Sequence, residues 1–362
     1  MYFMKHKLKA HVARLKAWIT SHKAISATGL VVLLAIIGVI VVPSSDNTEV
    51  SRTDVSNVAQ VEDEVKPTTF ASPLTGLQVS KEEANRPVTA IVIENSPDAR
   101  PQSSLHEAGF VFESIAEGGI TRYLAFYQES RPDTIGPVRS LRPYFSDWIT
   151  TFDASIAHVG GSQAALAEIG PLGIKSLNQF TYGNTYIRTT DRFAPHNVYT
   201  DFDKLDTLNT QLNYTSSDFD TWPRKTPKPV ATPKASEITV NISSFLYQSS
   251  YSWDKESNTY LRRIAGTPMT DRETKTRIAP SVVIVIETPF SIGQDGRYDY
   301  KLVGDGKATV FQDGNAQVGT WSKNARDQQI SFTSDNGDEI ELNPGQVWIT
   351  VISPNQEVEY TP

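Results

Sequence analysis

The sequence predicts a mixed α/β domain followed by a mostly β domain, the pair preceded by one transmembrane helix. Three observations predict this. An uncharged 19-residue run, 24–42, follows six positive charges. Strand patterns then alternate with helix patterns as far as residue 220, which is the signature of an α/β layer. Beyond a proline-rich stretch, 221–236, short alternating strands separated by Asp-Gly turns take over.

Segment 1–23 carries Lys5, Lys7, Lys9, Arg14, Lys16 and Lys23 and no acidic residue, so it is expected to stay cytoplasmic. The run 24–42, rich in Val, Leu and Ile, is long enough to cross a bilayer as a signal anchor. A cleaved signal peptide competes with that reading, but Val41-Val42-Pro43 offers no small-x-small site. Residues 43–69 are polar and poor in aromatics, the composition of a disordered tether. A coil of that length reaches roughly 30 Å. The expected location is the cell membrane, single-pass, with the folded domains outside. The exported part keeps 28 of the 34 Lys and Arg and all 41 Asp and Glu, a formal charge of −13. Such a surface repels nucleic acid, and no nucleic-acid partner is expected. Cysteine is absent, which removes disulfides, thiol catalysis and cysteine-ligated metals.

In the α/β domain, 70–220, residues 88–94 (VTAIVIE) form an apolar run fitting a buried strand. Two further strands are expected over 108–115 and 123–128, and another over 155–159. Helices are expected over 143–151 and 163–169, the second stopped by Gly170-Pro171. The aromatic stripe Phe110, Phe112, Tyr123, Phe126, Tyr127, Tyr144, Phe145 and Trp148 reads as core. The linker 221–236 holds four prolines and four basic residues. In the β-rich domain, 237–362, strands are expected near 247–253, 259–264, 282–287, 298–303, 307–312, 317–321, 329–333, 339–342 and 347–353.

The chemistry concentrates in the first domain. Arg122 follows the Gly118-Gly119 turn, and Arg139 and Arg142, three apart, share a side if they lie on a helical turn. Arginine keeps its charge, and its planar fork matches carboxylate or phosphate oxygens. His158 ends a strand before Gly160-Gly161-Ser162, where backbone amides can approach an anion and Ser162 can cap a helix. Arg192 precedes His196 and Asn197. Two readings stand together: an anion pocket lined by these residues, or a structural network in which Glu94, Glu113, Glu117, Asp147, Asp153 and Asp191 neutralise the arginines. Glu113, Glu117 and His158 are the candidate acid–base residues for hydrolysis. No zinc-protease, P-loop or nucleophile-elbow motif is present, and neither metal nor cofactor is expected.

Taken in order, Asn85-Arg86-Pro87, Glu94-Asn95, Ala99-Arg100-Pro101-Gln102-Ser103, Phe112-Glu113, Glu117-Gly118-Gly119-Ile120-Thr121-Arg122, Gly136-Pro137-Val138-Arg139-Ser140, His158-Val159-Gly160-Gly161-Ser162 and Ala194-Pro195-His196-Asn197 resemble the YerB-like family of bacterial envelope proteins. Tyr260 to Arg262, Gly319-Thr320-Trp321 and Pro344-Gly345-Gln346-Val347-Trp348 look like that family's C-terminal companion domain. The resemblance implies an exported, membrane-tethered protein with a paired domain of unknown function. Many relatives look like lipoproteins anchored through a cysteine; here the anchor is expected to be 24–42. Ser104 stands where relatives tend to have glycine. The resemblance carries over no activity. Two functions are therefore carried forward. One is a binding module for an anionic cell-envelope polymer or an envelope protein. The other is a peptidoglycan or phosphate-linked glycan hydrolase or transferase using Glu113 or Glu117.

Overall fold

A computed structural model describes residues 68–293, 296–356 and 358–362. The expected anchor 24–42, the segment 1–23 and nearly all of the tether lie outside these residues. No helix among the described residues is long and apolar enough to cross a membrane. The described residues fall in one compact unit.

Its centre is a ten-stranded mixed sheet. The first half of the chain supplies β1 (Thr89–Glu94), β2 (Phe110–Glu117), β3 (Ile120–Tyr127), β4 (Ser155–His158) and β5 (Lys175–Asn178). The second half forms β6 (Glu237–Val240), β7 (Ser249–Asp254), β8 (Thr259–Ile264), β9 (Thr267–Pro268), β10 (Val282–Glu287), β11 (Gly304–Gln312), β12 (Asn315–Lys323), β13 (Ser331–Ser334), β14 (Val347–Ile352) and β15 (Val358–Thr361). The order in the large sheet is β13-β12-β11-β10-β14-β2-β3-β1-β4-β5. A five-stranded sheet, β9-β8-β7-β6-β15, is built from the second half. The mixed α/β and mostly β characters are thus present, but both halves share one sheet. β14 runs parallel to β2 with Val347 opposite Phe110.

Alternation explains why these segments became strands buried on both faces. Ala90, Val92, Phe110, Phe112, Leu124 and Phe126 face one core, while Ile91, Ile93, Val111, Tyr123, Ala125 and Tyr127 face the other. Over the first face lie a 3₁₀ turn, Pro143–Phe145, and helix α1, Ser146–Thr151, whose Trp148 ring sits 4.7 Å from Phe112. Every member of the predicted aromatic stripe is buried. Helix α2, Gln163–Glu168, is capped by Ser162, which accepts from the Ala165 amide. Helix α3, Phe202–Gln211, starts at Asp201 and buries Phe202, Leu205 and Leu208.

Three local expectations differ from the structure. The proline-rich stretch is tied into the fold: Trp222 is buried and donates to the Ile330 carbonyl at 2.9 Å, and Arg224 donates to the Leu74 and Asn343 carbonyls. Residues 339–342 make isolated bridges in place of a strand. The segment 136–142 is extended, bridging Ile93 through Val138 and Gly161 through Leu141. Ser104 adopts φ +67, the left-handed region in which glycine is the easiest occupant.

Candidate functional site

The strand pairings send β1, β2, β4 and β5 the same way, so Glu94, Glu117, His158 and Asn178 all lie at one end of the large sheet. In open α/β sheets the turns beyond the carboxyl ends of parallel strands are where ligands bind. Two charge clusters lie here, around Glu117 and Glu94.

The first cluster centres on Glu117. It ends β2 at a bulge, just before Gly118 and Gly119 turn the chain with φ of +57 and +78. Arg122, two residues into β3, donates from Nη2 to Glu117 Oε1 at 2.8 Å and from Nη1 to the Ser140 carbonyl at 2.9 Å. Arg142 donates to Glu117 Oε2 from Nε at 2.9 Å and from Nη2 at 2.5 Å. Both arginines are buried. Burial pushes the Glu117 carboxyl up, but the two guanidiniums together hold it below the ordinary glutamate value. Glu117 is therefore a fixed counter-ion, the opposite of a general acid, which needs a raised pKa.

The second cluster centres on Glu94, the last residue of β1, which is almost fully buried. Arg139 Nε lies 3.2 Å from its Oε2, and His196 Nδ1 lies 3.0 Å from its Oε1. Ser96 Oγ donates to Oε1 at 2.9 Å and sits 3.2 Å from His196 Nδ1. Arg139 and His196 keep about a fifth of their side chains exposed, so this cluster faces solvent. Arg139 and Arg142 diverge because the backbone between them is extended, where residues three apart point to opposite faces.

Beside Glu94, Arg192 donates to the Ala99 and Pro101 carbonyls at 2.9 and 2.7 Å and to the Tyr199 hydroxyl at 2.6 Å. Arg188 donates to Asn197 Oδ1 at 2.9 Å, and Asn197 ties back to the Thr189 carbonyl. Arg100 donates to Asn95 Oδ1 and to the Asn95 carbonyl. Among the described residues, none of these three guanidiniums has a carboxylate partner.

The sequence and fold match known proteins along nearly the whole described region. Residues 74–215 match the family described as "Protein of unknown function (DUF3048) N-terminal domain", and residues 238–349 match its C-terminal domain. The chain is 32% identical over 290 residues to "Putative lipoprotein YerB" of Bacillus subtilis (strain 168), covering 78% of this chain and 86% of that one. The chain belongs to the DUF3048 family. The crystal structure of the Bacillus subtilis YerB protein superposes with a TM-score of 0.73 at 31% identity, over 80% of this chain and 99% of that one. The resemblance to a YerB-like family with paired domains is therefore established.

Other predicted residues of this DUF3048 chain lie outside the two clusters. Glu113 is fully buried on the opposite face, bound by Arg262 Nη2 at 2.7 Å, Trp348 Nε1 at 3.1 Å and Thr121 Oγ1 at 3.1 Å. A carboxylate sealed in this way has no route to a polymer, which corrects its place among the acid–base candidates. His158 is also sealed: Nδ1 donates to the Gly160 carbonyl at 2.7 Å, and Nε2 accepts from Ser176 Oγ at 2.8 Å. Burial lowers its pKa and keeps the ring neutral. His158, Gly160, Gly161 and Ser162 thus form a turn. Gly160 sits at φ +55 beneath the Phe180 ring, and the Ser162 hydroxyl is committed to its helix cap. Asp153 pairs with Lys175 at 2.7 Å, and Ser162 is committed to its helix cap, so neither joins His158 in a catalytic triad. Ser96 and Arg326 carry interactions that no sequence motif marked; Arg262 and Trp348 stood only in the companion-domain motifs, and Asp147, expected to neutralise an arginine, pairs with Arg326 at 2.7 Å. The Glu113–Arg262 pair spans 149 residues, beyond the reach of any local pattern.

Proposed function

We propose that this protein is a membrane-anchored, extracytoplasmic binding module that recognises an anionic component of the cell envelope at the carboxyl end of β1. Arg139, His196 and Arg192 form the contact, with Arg100 and Arg188 beside them. The observation that carries the reading is the charge balance there: Arg100, Arg188 and Arg192 donate only to neutral acceptors among the described residues, within a chain that is acidic overall. Glu94 orients Arg139 and His196 toward solvent. Arg122 and Arg142 act from behind as the buried frame, committed to Glu117. The anchor is the run 24–42 behind its six positive charges, and the lipoprotein description of the Bacillus subtilis relative supports membrane attachment.

The hydrolase alternative loses its residues, since Glu113 is sealed and Glu117 is held ionised. The test is incubation of residues 65–362 with purified cell-wall sacculi, comparing the wild type with Arg139→Ala and Glu117→Gln. Sedimentation without release of soluble fragments, weakened in Arg139→Ala, is the expected result. Fragment release abolished by Glu117→Gln would support the enzyme.

A further inference from the structure

Beyond the segment that carries Arg139 and Arg142, a hollow of about 1050 Å³ opens away from the Glu94 cluster. One wall is Tyr144 of the 3₁₀ turn, Asp147 of α1 and Glu168 of α2. The other is Tyr298, Asp299 and Tyr300 from the second half, with Arg326 at one side. Arg326 also lines a second hollow of about 470 Å³, whose apolar walls are Ile149, Pro171, Leu172 and Ile174. The two hollows share this guanidinium as a lining group, and the first forms the groove. Their volumes match or exceed the roughly 300–1,000 Å³ usual for small-ligand sites.

The groove is furnished for chemistry that its packing does not require. Arg326, two-fifths exposed, holds Asp147 Oδ1 at 2.7 Å from Nε and Glu168 Oε1 at 3.3 Å from Nη1. Asp147 is more than nine-tenths buried. Its burial pushes the carboxyl up to about 6 despite Arg326 and Lys323. A carboxylate kept at such a cost in the wall of a cleft is the pattern of a recognition site. One tyrosine ring, that of half-buried Tyr298, faces the cleft; behind it Tyr300, stacked at 6.2 Å, and Tyr144, edge to face with Tyr300 at 5.1 Å, are buried and hold it in place.

Acceptors, a donor fork and a ring face in one groove suit one kind of ligand. A sugar hydroxyl both donates and accepts, so it can bridge a carboxylate and a guanidinium. The C–H face of a pyranose is apolar and lies flat on a tyrosine ring such as that of Tyr298. Asp147, Glu168 and Asp299 balance Arg297, Lys301 and Arg326 along the lining, which suits an uncharged chain better than a polyanion. We propose that this groove is a second binding site, for a polyhydroxylated chain: a glycan strand lying on Tyr298 and crossing Arg326. This site is independent of the anion site at Glu94, and either can fail without the other.

The test is calorimetric titration of residues 65–362 with the hexamer of β-1,4-linked N-acetylglucosamine. Tyr298→Ala removes a ring face without touching an ion pair. Arg326→Ala removes the shared guanidinium, and Arg139→Ala serves as the control at the other site. Each variant is checked for an unchanged melting temperature. The expected result is saturable binding by the wild type and by Arg139→Ala, weakened at least tenfold in Tyr298→Ala and in Arg326→Ala. Three results would overturn the proposal: no saturable binding, wild-type affinity in Tyr298→Ala, or binding lost in Arg139→Ala.

Discussion

Glu113 of the first half and Arg262 of the second meet at 2.7 Å with both side chains fully sealed from solvent. The Arg262 guanidinium lies 4.2 Å from the Trp348 ring, and its remaining donors reach Ser249 and Tyr251. The pair joins the large sheet to the small one and ties the two halves together beside the shared strands. Removing one partner leaves a buried uncompensated charge. Glu113→Ala or Arg262→Ala is expected to cost about 3–5 kcal/mol. Urea unfolding followed by tryptophan fluorescence and by circular dichroism should show one coincident transition moved to lower urea. Two separated transitions would mean that the halves are energetically independent.

The same reasoning applies at the other end of β2. Glu117 is the shared carboxylate partner of two buried arginines. Glu117→Gln is expected to lower stability by about 3 kcal/mol. Arg139→Ala, at a partly exposed pair, should cost about 1 kcal/mol or less. Differential scanning calorimetry of both variants measures the contrast.

Asp147 gives a pH dependence of definite sign. Its folded pKa of about 6 stands above the ordinary 3.8, because burial disfavours the ionised form. The folded state therefore binds the proton more readily than the unfolded chain between these values. Stability from this group rises as pH falls through about 6 and levels off below 3.8. Asp147→Asn should be more stable than the wild type at pH 8, by up to about 3 kcal/mol, with the difference vanishing near pH 4. Chemical unfolding of both proteins at the two pH values checks the slope.

Gly136 holds the strand that presents Asn197 and His196. Its φ is +152, and a Cβ there would fall 2.8 Å from the Val198 carbonyl oxygen and 2.8 Å from the Tyr199 ring. Backbone is in the way, so a rotamer change offers no relief. Gly136→Ala is expected to cost about 2 kcal/mol and to weaken anion binding by displacing His196. Thermal melts and binding titrations on the same sample separate the two effects.

Much of this architecture was legible in the sequence. The VTAIVIE run, the Gly118-Gly119 hairpin, the aromatic core and the Asp313-Gly314 turn state their structure locally, whereas Asp305-Gly306, also expected to turn, is paired inside β11. Helix α3 was not read from the sequence, because its polar composition hid the Asp201 cap and the buried face of Phe202, Leu205 and Leu208. The single sheet was not legible, because pairing of Val347 with Phe110 is a contact between distant segments. The arginine geometry was misjudged for a specific reason. Residues 139 and 142 point together on a helix and apart on an extended segment, and Val138 and Leu141 are bridged as extended backbone. Glu94 was visible only as one of several carboxylates able to neutralise an arginine.

The central claim is anion recognition by the exposed face around Glu94. The most direct measurement is binding of residues 65–362 to immobilised poly(glycerol phosphate) at two ionic strengths, for the wild type, Arg139→Ala and Arg192→Ala. The account predicts saturable binding that weakens with salt and falls at least tenfold in each variant. Absence of wild-type binding, or wild-type affinity in both variants, would contradict it.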